Sequence, residues 1–531
     1  MRDLYSWKNP GGRKILIAGI MGILILAALP VSAGDGRYDL LPDGTSTFEI
    51  TEPGAYILVS NVKMTANVTC ILIKTSNVDI DLGGHTIEGT GSGDQACGIV
   101  IEKTTQPYPD NVRIHNGTIR NFGSGGIFLG TKSHVHDVSA LSNKMAGIYV
   151  DKNSLVENCR AIDNNAKGFF AGIIAGANSI ARNNIANNNS CSLTENNLNV
   201  CGIVAGSGCN VTGNTANGNE APNSSNGTAL GIFISNKCFV ESNVCNGNNA
   251  KGAAYGIGSS GIAADHCIVR NNTCSSNHSD ENLSAGIRVG SHCLVTGNGC
   301  CDNKGSLTGT GIRTSFACII RENTCSGNSG DTVYGVHADS NCRIEGNTCH
   351  NNKGESSAYG IQSGSYCRIL NNISYFQNAK STRVAGIYAG MGSRVKENII
   401  SYTYGMPDST ADVSAIFTDA ANVDIIGNKC YGTTTSGTGR AAGIRLDYPD
   451  NGGKGCLIEG NVCEMNKDYG IWINGTGSRI IGNRTCKNGV NSIKIGGIAN
   501  YYAANIYQKS EPIAALLGNI SGTSPAPNVG F

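Results

Sequence analysis

Residues 286–303 read GIRVGSHCLVTGNGCCDN, and the same pattern returns at 311–328 as GIRTSFACIIRENTCSGN and at 335–352 as GVHADSNCRIEGNTCHNN. The shared unit is G-[IV]-x-x-x-x-x-C-x-[VI]-x-x-N-x-C-x-x-N, and degenerate copies begin at points between Gly126 and Gly470. Self-similarity of this kind indicates a repeat architecture in which each unit stacks on the next. We therefore expect one long solenoid in place of several globular domains.

Within a copy, apolar residues alternate with polar ones, as in Ile287 and Val289, then Cys293 and Val295. A period of two is typical of short strands with one buried face. Three short strands and three turns in about 22 to 25 residues form one coil of a β-helix. The predicted fold is all-β, a single-stranded right-handed parallel β-helix of about fifteen coils with an N-terminal cap. Successive coils lie about 4.8 Å apart, so equivalent residues stack.

Asparagine recurs at one turn of every copy, where stacking allows side-chain hydrogen bonds from coil to coil. We expect this ladder to be structural and not a binding site. Its predicted members are Asn183, Asn214, Asn243, Asn272, Asn298, Asn323, Asn347, Asn372, Asn398, Asn428, Asn461 and Asn483.

Of the 22 cysteines, 15 fall on two lines, one five residues before the ladder asparagine and one two residues after it. They alternate with apolar residues, so we expect them inside the solenoid. Stacked cysteines have parallel Cα–Cβ bonds, which favours free thiols over disulfides. Cys191 and Cys201 flank one loop and are a candidate disulfide. Linear rows do not provide a tetrahedral ligand cluster, and no metal site is predicted.

The N-terminus carries basic residues, an apolar run at 15–29 and Val31-Ser32-Ala33. This pattern indicates a secretory signal peptide cut after Ala33, the alternative being an uncleaved anchor. The predicted organisation is a signal peptide at 1–33, a cap with entry strands at 34–76, the β-helix at 77–498 and a cap with a flexible tail at 499–531. The mature chain should not span a membrane, and we expect it to be secreted, on the cell surface, extracellular or periplasmic.

The net charge of +1, with 15% charged residues, argues against nucleic acid as a partner, because phosphate binding needs a concentrated basic face.

The chain resembles right-handed parallel β-helix proteins of the pectin-lyase-like superfamily. The resemblance is carried by NVDIDLGGHTIEGTG at 77–91, by NVRIHNGTIRNF at 111–122 and by the later Gly-Ile copies. The resemblance covers roughly residues 40–500. It implies the fold strongly and function weakly, namely secreted or periplasmic carbohydrate-binding and sugar-hydrolase-like proteins. His85 in the G-H-T-I turn is expected to be structural.

One predicted outward line consists of the residue after each Gly-Ile, where rings could stack on sugars and arginines could pair with carboxylate or sulfate. The candidate glycan-binding residues are Arg288, Arg313, His337, Gln362, Tyr388, Phe417, Arg445 and Trp472. The alternative is a row of polar residues that merely faces solvent.

A polysaccharide lyase or epimerase needs a base, an acid and a neutraliser of the uronate carboxylate, which is often Ca²⁺. The catalytic candidates are Arg288, Arg313, His337, His266, His292 and Asp265. The regular repeats contain no acidic cluster, so nothing in them supports a Ca²⁺ site, and no cofactor is evident.

Three hypotheses for the function remain. The favoured one is a non-catalytic glycan-binding or structural module acting on a polysaccharide or cell-envelope glycan. The second is a polysaccharide lyase, epimerase or hydrolase, and the third is a periplasmic metal-delivery accessory protein.

Overall fold

The computed structural model describes residues 36–507 and 529–530, apart from positions 94, 105, 167–169, 192–198, 224–225, 260–263, 408, 448–454 and 497–498. The predicted signal peptide at 1–33 and most of the tail at 499–531 lie outside the described residues. Every element in the described ranges is a β-strand. A search of these ranges found no helix long and apolar enough to cross a membrane.

The strands pair in parallel, each with the strand one coil earlier and the strand one coil later, as Ile287 pairs with Ile257 and with Ile312. This arrangement is a parallel β-solenoid of about 17 turns, so the predicted fold is confirmed and the expected coil number was slightly low. The additional coils have a physical reason. Parallel pairing already includes Tyr38–Leu40 and Phe48–Ile50, in a region where the Gly-Ile unit is not recognisable.

Sheets A and B run along the whole solenoid, sheet C joins them in the C-terminal half, and the sheets enclose a single narrow core. Sheet A has 22 strands: Tyr38–Leu40, Gly54–Leu58, Val62–Lys63, Val78–Asp81, Thr86–Glu88, Val112–Arg120, His134–Leu141, Leu155–Glu157, Arg160–Ile162, Ile180–Arg182, Asn210–Thr212, Phe239–Glu241, Ile268–Arg270, Leu294–Thr296, Ile319–Arg321, Arg343–Glu345, Arg368–Leu370, Arg394–Lys396, Asp424–Ile426, Leu457–Glu459, Arg479–Ile481 and Tyr501–Ala503.

Sheet B carries the Gly-Ile pairs. Its longer strands are Phe48–Ile50, Ile71–Ile73, Ile99–Ile101, Ile127–Leu129, Ile148–Val150, Phe170–Ala175, Asn199–Ala205, Thr228–Ile234, Ala253–Gly258, Leu283–Val289, Thr308–Thr314, Ser329–Ala338, Lys353–Ser363, Arg383–Tyr388, Asp412–Thr418, Ala441–Asp447, Tyr469–Asn474 and Asn491–Gly496. Its two-residue strands are Asn165–Ala166, Ser190–Cys191, Glu220–Ala221, Asn249–Ala250, His278–Ser279, Lys304–Gly305, Asn378–Ala379, Tyr404–Gly405 and Thr434–Thr435.

Sheet C is confined to the C-terminal half. Its strands are Gly299–Cys301, Thr324–Ser326, Thr348–His350, Ile373–Tyr375, Ile399–Ser401, Lys429–Tyr431, Val462–Glu464, Arg484–Cys486, Ile506–Tyr507 and Val529–Gly530.

The turn before each ladder asparagine needs a left-handed backbone, which explains the glycine and asparagine that recur there. The residues with positive φ at this turn are Asn183, Gly213, Ser242, Asn271, Gly297, Glu322, Gly346, Asn371, Glu397, Gly427, Gly460 and Gly482. The asparagine that follows is then directed inward.

The asparagine ladder is confirmed, with one correction. In the middle of the ladder, Asn298 Oδ1 accepts from the Asn272 backbone N–H and side-chain amide at 2.9 and 3.0 Å, and Asn298 Nδ2 donates to Asn323 Oδ1 at 2.9 Å. The same contacts run from Asn184 to Asn505. Asn183 was assigned wrongly, because the buried member of its coil is Asn184 and Asn183 occupies the exposed turn position.

A second ladder stands five residues further along each coil. It joins Asn277, Asn303, Asn328 and Asn352 by side-chain amide bonds of 2.9–3.0 Å, and it ends in the chemically similar Gln377. Each side chain is buried, so the two ladders satisfy amides that would otherwise be costly inside the solenoid.

All 22 cysteines are free, and every one except Cys301 is buried. The predicted Cys191–Cys201 disulfide is therefore wrong; the two thiols belong to different packed clusters. Cys300, Cys325 and Cys349 are register partners on successive coils, and Cys293 Sγ lies 3.4 Å from the Cys267 backbone N. Burial raises the pKa of the Cys300 thiol well above its ordinary value, so this thiol is uncharged and packs in the core as a small apolar side chain.

Candidate functional site

The residues after the Gly-Ile pairs form one continuous line on the outer side of sheet B, which we call the track. Arg288 pairs with Arg313 across the coils, and Arg313 pairs with His337. The register continues through Gln362, Tyr388, Phe417, Arg445 and Trp472. Neighbours on the track are therefore separated by one strand spacing, about 4.8 Å.

A second outward line, missed by the sequence analysis, lies three residues before the track. Each of its tyrosines precedes a buried glycine, so the Tyr-Gly dipeptide is the signal that could have revealed it. Tyr334 and Tyr359 are register partners whose rings stack with centroids 5.4 Å apart. Tyr334 also stacks on His337 at 4.6 Å. Aromatic rings thus cover both lines at the middle of the solenoid.

Arg288 and Arg313 place two guanidinium groups side by side on this surface. Arg288 donates to the Tyr255 hydroxyl and stands 5.2 Å from the centroid of that ring. Within the part of the chain that the structure describes, neither arginine forms an ion pair. Like charges directly opposite in a sheet are unfavourable. An anion between the two arginines would relieve this repulsion.

The groups around Arg313 have shifted ionisation. Burial, and next the positive charge of Arg313, lower the pKa of His337 to about 4, so its imidazole is neutral at pH 7. Burial raises the pKa of Asp339, although Arg313 opposes the shift. Burial also raises the pKa of Tyr334. Shifted groups gathered on a ligand-sized surface are typical of functional sites.

The C-terminal end of the track differs from the exposed line that the sequence predicted. Phe417, Arg445 and Trp472 are only 0%, 6% and 7% exposed. The Arg383 guanidinium lies 3.8 Å from the centroid of the Phe417 ring, and Arg445 lies 4.2 Å from that of Trp472. These side chains fill the outer surface, so their ring faces are already covered.

Several acidic residues, none of them at a regular repeat position, lie at the C-terminal end of the track. Arg445 Nη1 lies 2.7 Å from Asp412 Oδ2, and Arg445 Nη2 donates to Asp447 Oδ2 at 2.6 Å. Asp419 accepts from the Tyr388 hydroxyl at 2.6 Å and lies 3.8 Å from Arg383. These acids come from strand ends and a turn, outside the regular repeat positions in which the sequence analysis found no acidic cluster. Across the described ranges, no three His, Cys, Asp or Glu side chains are arranged to hold a metal ion.

His266, His292 and Asp265 lie in the turn after the sheet B strand. The two imidazoles are exposed and stacked at 4.9 Å, with a left-handed backbone at both residues. Asp265 Oδ1 accepts from the Ser291 backbone N–H at 2.6 Å, which holds the turn. Among the described contacts, none joins this group to Arg288, Arg313 or His337. The structure thus separates the turn candidates from the track.

Another titratable cluster, also missed by the sequence analysis, lies on sheet A near the N-terminus. His115 and His136 stack at 4.8 Å, and His136 Nε2 accepts from Arg113 Nε at 3.0 Å. His115 Nε2 lies 3.3 Å from Asp79 Oδ1, and His134 Nε2 lies 2.9 Å from Glu157 Oε1. The sequence signal for this cluster is the H-V-H motif at 134–136, which lies one coil after the R-I-H motif at 113–115. Each group here already has a partner, so the cluster ties coils together.

No protein-family model matches the chain, and no curated protein matches it. Among solved structures it is similar to the A-module of the mannuronan C-5 epimerase AlgE4 of Azotobacter vinelandii, with 13% identity, a TM-score of 0.29, and 76% of this chain and 90% of that chain covered. It is also similar to the Dettilon tailspike protein, with 13% identity, a TM-score of 0.27, and 75% of this chain and 64% of that chain covered. A third similar structure is a variant of the PL6 family alginate lyase AlyGC, with 8% identity, a TM-score of 0.18, and 93% of this chain and 97% of that chain covered. None of these likenesses bears on the chemistry of this chain, which its own side chains must establish.

Proposed function

We propose that this protein is a secreted glycan-binding module that holds an acidic polysaccharide along the outer side of sheet B. The observation that carries the proposal is the pair of adjacent arginines, Arg288 and Arg313, which lack ion pairs in the described part of the chain. Arg288 lies over the Tyr255 ring, and Tyr334 stands one coil after Arg313. Arginine pairs with carboxylate or sulfate in a two-pronged geometry. Aromatic rings provide flat apolar surfaces against which sugar rings pack.

The shape of the surface supports an extended ligand. The second line is small at Ala285 and Thr310, which are fully buried, and large at Tyr255 and Tyr334 on either side. The two guanidinium groups therefore lie beside small side chains, with Tyr255 buried beneath Arg288 on one side and the Tyr334 ring on the other. A polysaccharide that runs along the solenoid axis would meet an equivalent position every 4.8 Å or so.

Binding is tested by affinity electrophoresis and calorimetry of the mature protein with acidic and neutral polysaccharides of equal length. We expect binding to an acidic polysaccharide that weakens as salt is raised, because the contact is ionic. Arg313→Ala should lower the affinity about tenfold, the loss of roughly 1.4 kcal/mol that one exposed charged contact can supply.

The matched control is Arg394→Ala on sheet A, which removes an exposed arginine paired with Asp424 and should leave the affinity unchanged. Equal binding to neutral and acidic chains, or equal loss in both variants, would rule out the proposed surface.

A second candidate function, polyuronate lyase or epimerase, rests on the grouping of Arg313, His337 and Tyr334. The neutral His337 would take the proton from the carbon next to the uronate carboxylate, while Arg313 stabilises the negative charge that develops on that carboxylate. For elimination, the Tyr334 hydroxyl would give its proton to the oxygen leaving the neighbouring carbon. One C–H and one C–O bond break, a C=C bond forms, and no oxidant is needed.

The catalytic alternative is tested by ultraviolet absorbance of unsaturated products and by exchange of solvent deuterium into the polymer. Activity that disappears in His337→Gln while binding persists would establish an enzyme. Binding with no product and no exchange in the unmodified protein would leave the non-catalytic module.

A further inference from the structure

The track is not equally available along its length. Its section from Arg288 to Tyr388 consists of half-buried side chains that face solvent. From Phe417 onward the outward positions are buried, because cationic side chains lie over the rings. The exposure of the track to a ligand therefore changes between the coil of Tyr388 and the coil of Phe417.

Three contacts close the C-terminal section. Arg383 covers the face of Phe417, and its charge lies 3.8 Å from that of Asp419. Arg445 is held between two carboxylates and covers Trp472. On the far side, Lys494 Nζ lies 4.8 Å from the Trp472 centroid. Each ring that could receive a sugar here already receives a cation of the protein itself.

The charges follow the same boundary. Among the described residues, Arg288 and Arg313 form no ion pair, and only Asp339 feels the charge of Arg313 from a distance. Arg383 and Arg445 are instead neutralised by Asp412, Asp419 and Asp447. An anionic polymer is attracted to the first pair. At the second pair it would meet carboxylates that already satisfy the arginines, so extension in that direction gains little.

From these observations we infer that the glycan site is bounded, and that it takes a segment of about five sugar units over the coils of Arg288, Arg313, His337, Gln362 and Tyr388. This inference rests on the proposed glycan-binding function. The site begins at Arg288 because the preceding position of the line is Gly258, which has no side chain. Five coils place the first and last positions about 19 Å apart. Arg383 is the residue that sets the C-terminal limit, because it occupies the face of the next ring, Phe417.

The inference is tested with acidic oligosaccharides of two to ten units and the full-length mature protein, by calorimetry. We expect the affinity to rise with length up to about five or six units and then to remain level. Arg383→Ala should uncover Phe417, so oligomers beyond six units should gain about threefold in affinity over the unmodified protein. Shorter oligomers should bind both proteins equally.

Arg394→Ala serves as the control for loss of a surface arginine, and circular dichroism with a thermal scan checks that each variant is folded. A continued rise in affinity through ten units, or no length-dependent difference in Arg383→Ala, would overturn the bounded site while leaving glycan binding intact. If no acidic oligomer binds at all, the proposed function fails and the bounded site fails with it.

Discussion

The ring of Tyr334 stacks on the ring of His337, with centroids 4.6 Å apart and an interplanar angle of 22°, although only Gly335 and Val336 separate them in the chain. In a regular strand, residues three apart point to opposite faces. Here both residues face outward, because Gly335 and Val336 are buried in succession. This local irregularity recurs at each Gly-Ile pair and gives sheet B two outward lines in place of one.

Removing the Tyr334 ring should weaken glycan binding without unfolding the protein. Tyr334→Ala is expected to lower the affinity for the acidic polysaccharide about fivefold to tenfold, since a stacked ring contributes roughly 1 kcal/mol. Tyr334→Phe keeps the ring and should bind like the unmodified protein. Tyr366→Ala, an exposed tyrosine in a turn away from the track, provides the control in the same calorimetric titration. Equal effects of the two alanine variants would contradict a specific role for Tyr334.

The low pKa of His337 makes stability depend on pH. The folded value is about 4, against about 6.5 for an unperturbed histidine, so the unfolded chain takes up this proton first as the pH falls. The contribution is complete above pH 6.5 and is lost as the pH falls to about 4. His337→Gln should therefore lose less stability than the unmodified protein between pH 7 and 4.5, as measured by urea midpoints. His278→Gln is the control, and identical pH slopes for all three proteins would refute the assignment.

Breaking the asparagine ladder should be costly even though no ligand is involved. Asn298→Ala removes the amide that donates to Asn323 Oδ1 and to the Val269 carbonyl, and it leaves the Asn272 backbone N–H without its acceptor. The expected loss is about 2–4 kcal/mol, seen as a lower urea midpoint. Asn210→Ala, at an exposed strand position, should change the midpoint little. A loss in Asn298→Ala no larger than in this control would mean that the ladder does not stabilise the fold.

Thiol accessibility should change completely on unfolding. In the native protein we expect reaction at Cys301 at most, because the other 21 cysteines are buried. In denaturant without reductant, all 22 thiols should react. An Ellman titration with mass spectrometry of the alkylated protein measures both numbers. Fewer than 22 reactive thiols in denaturant would reveal disulfides and contradict the free-thiol core.

The repeat determined most of the fold from the sequence alone. Alternation of Ile287 and Val289, glycine at the turns and a recurring asparagine specify strands, turns and stacking, because each is a local preference that every coil repeats. The order of residues on the track followed from the same periodicity. Single positions were less secure: in the run Arg182-Asn183-Asn184, two neighbouring asparagines fit the pattern equally and only burial distinguishes them.

Tertiary structure decided what each outward residue faces. The second line through Tyr334 depends on a local backbone irregularity, and the cover over Phe417 depends on Arg383 from the preceding coil. Asp412 and Asp447 meet at one guanidinium although 34 residues of chain lie between them. Contacts of this kind join side chains from different coils and strand ends, where no repeat constrains the sequence. Periodicity therefore fixes which residues are stacked, whereas packing between coils fixes which of them remain free to bind.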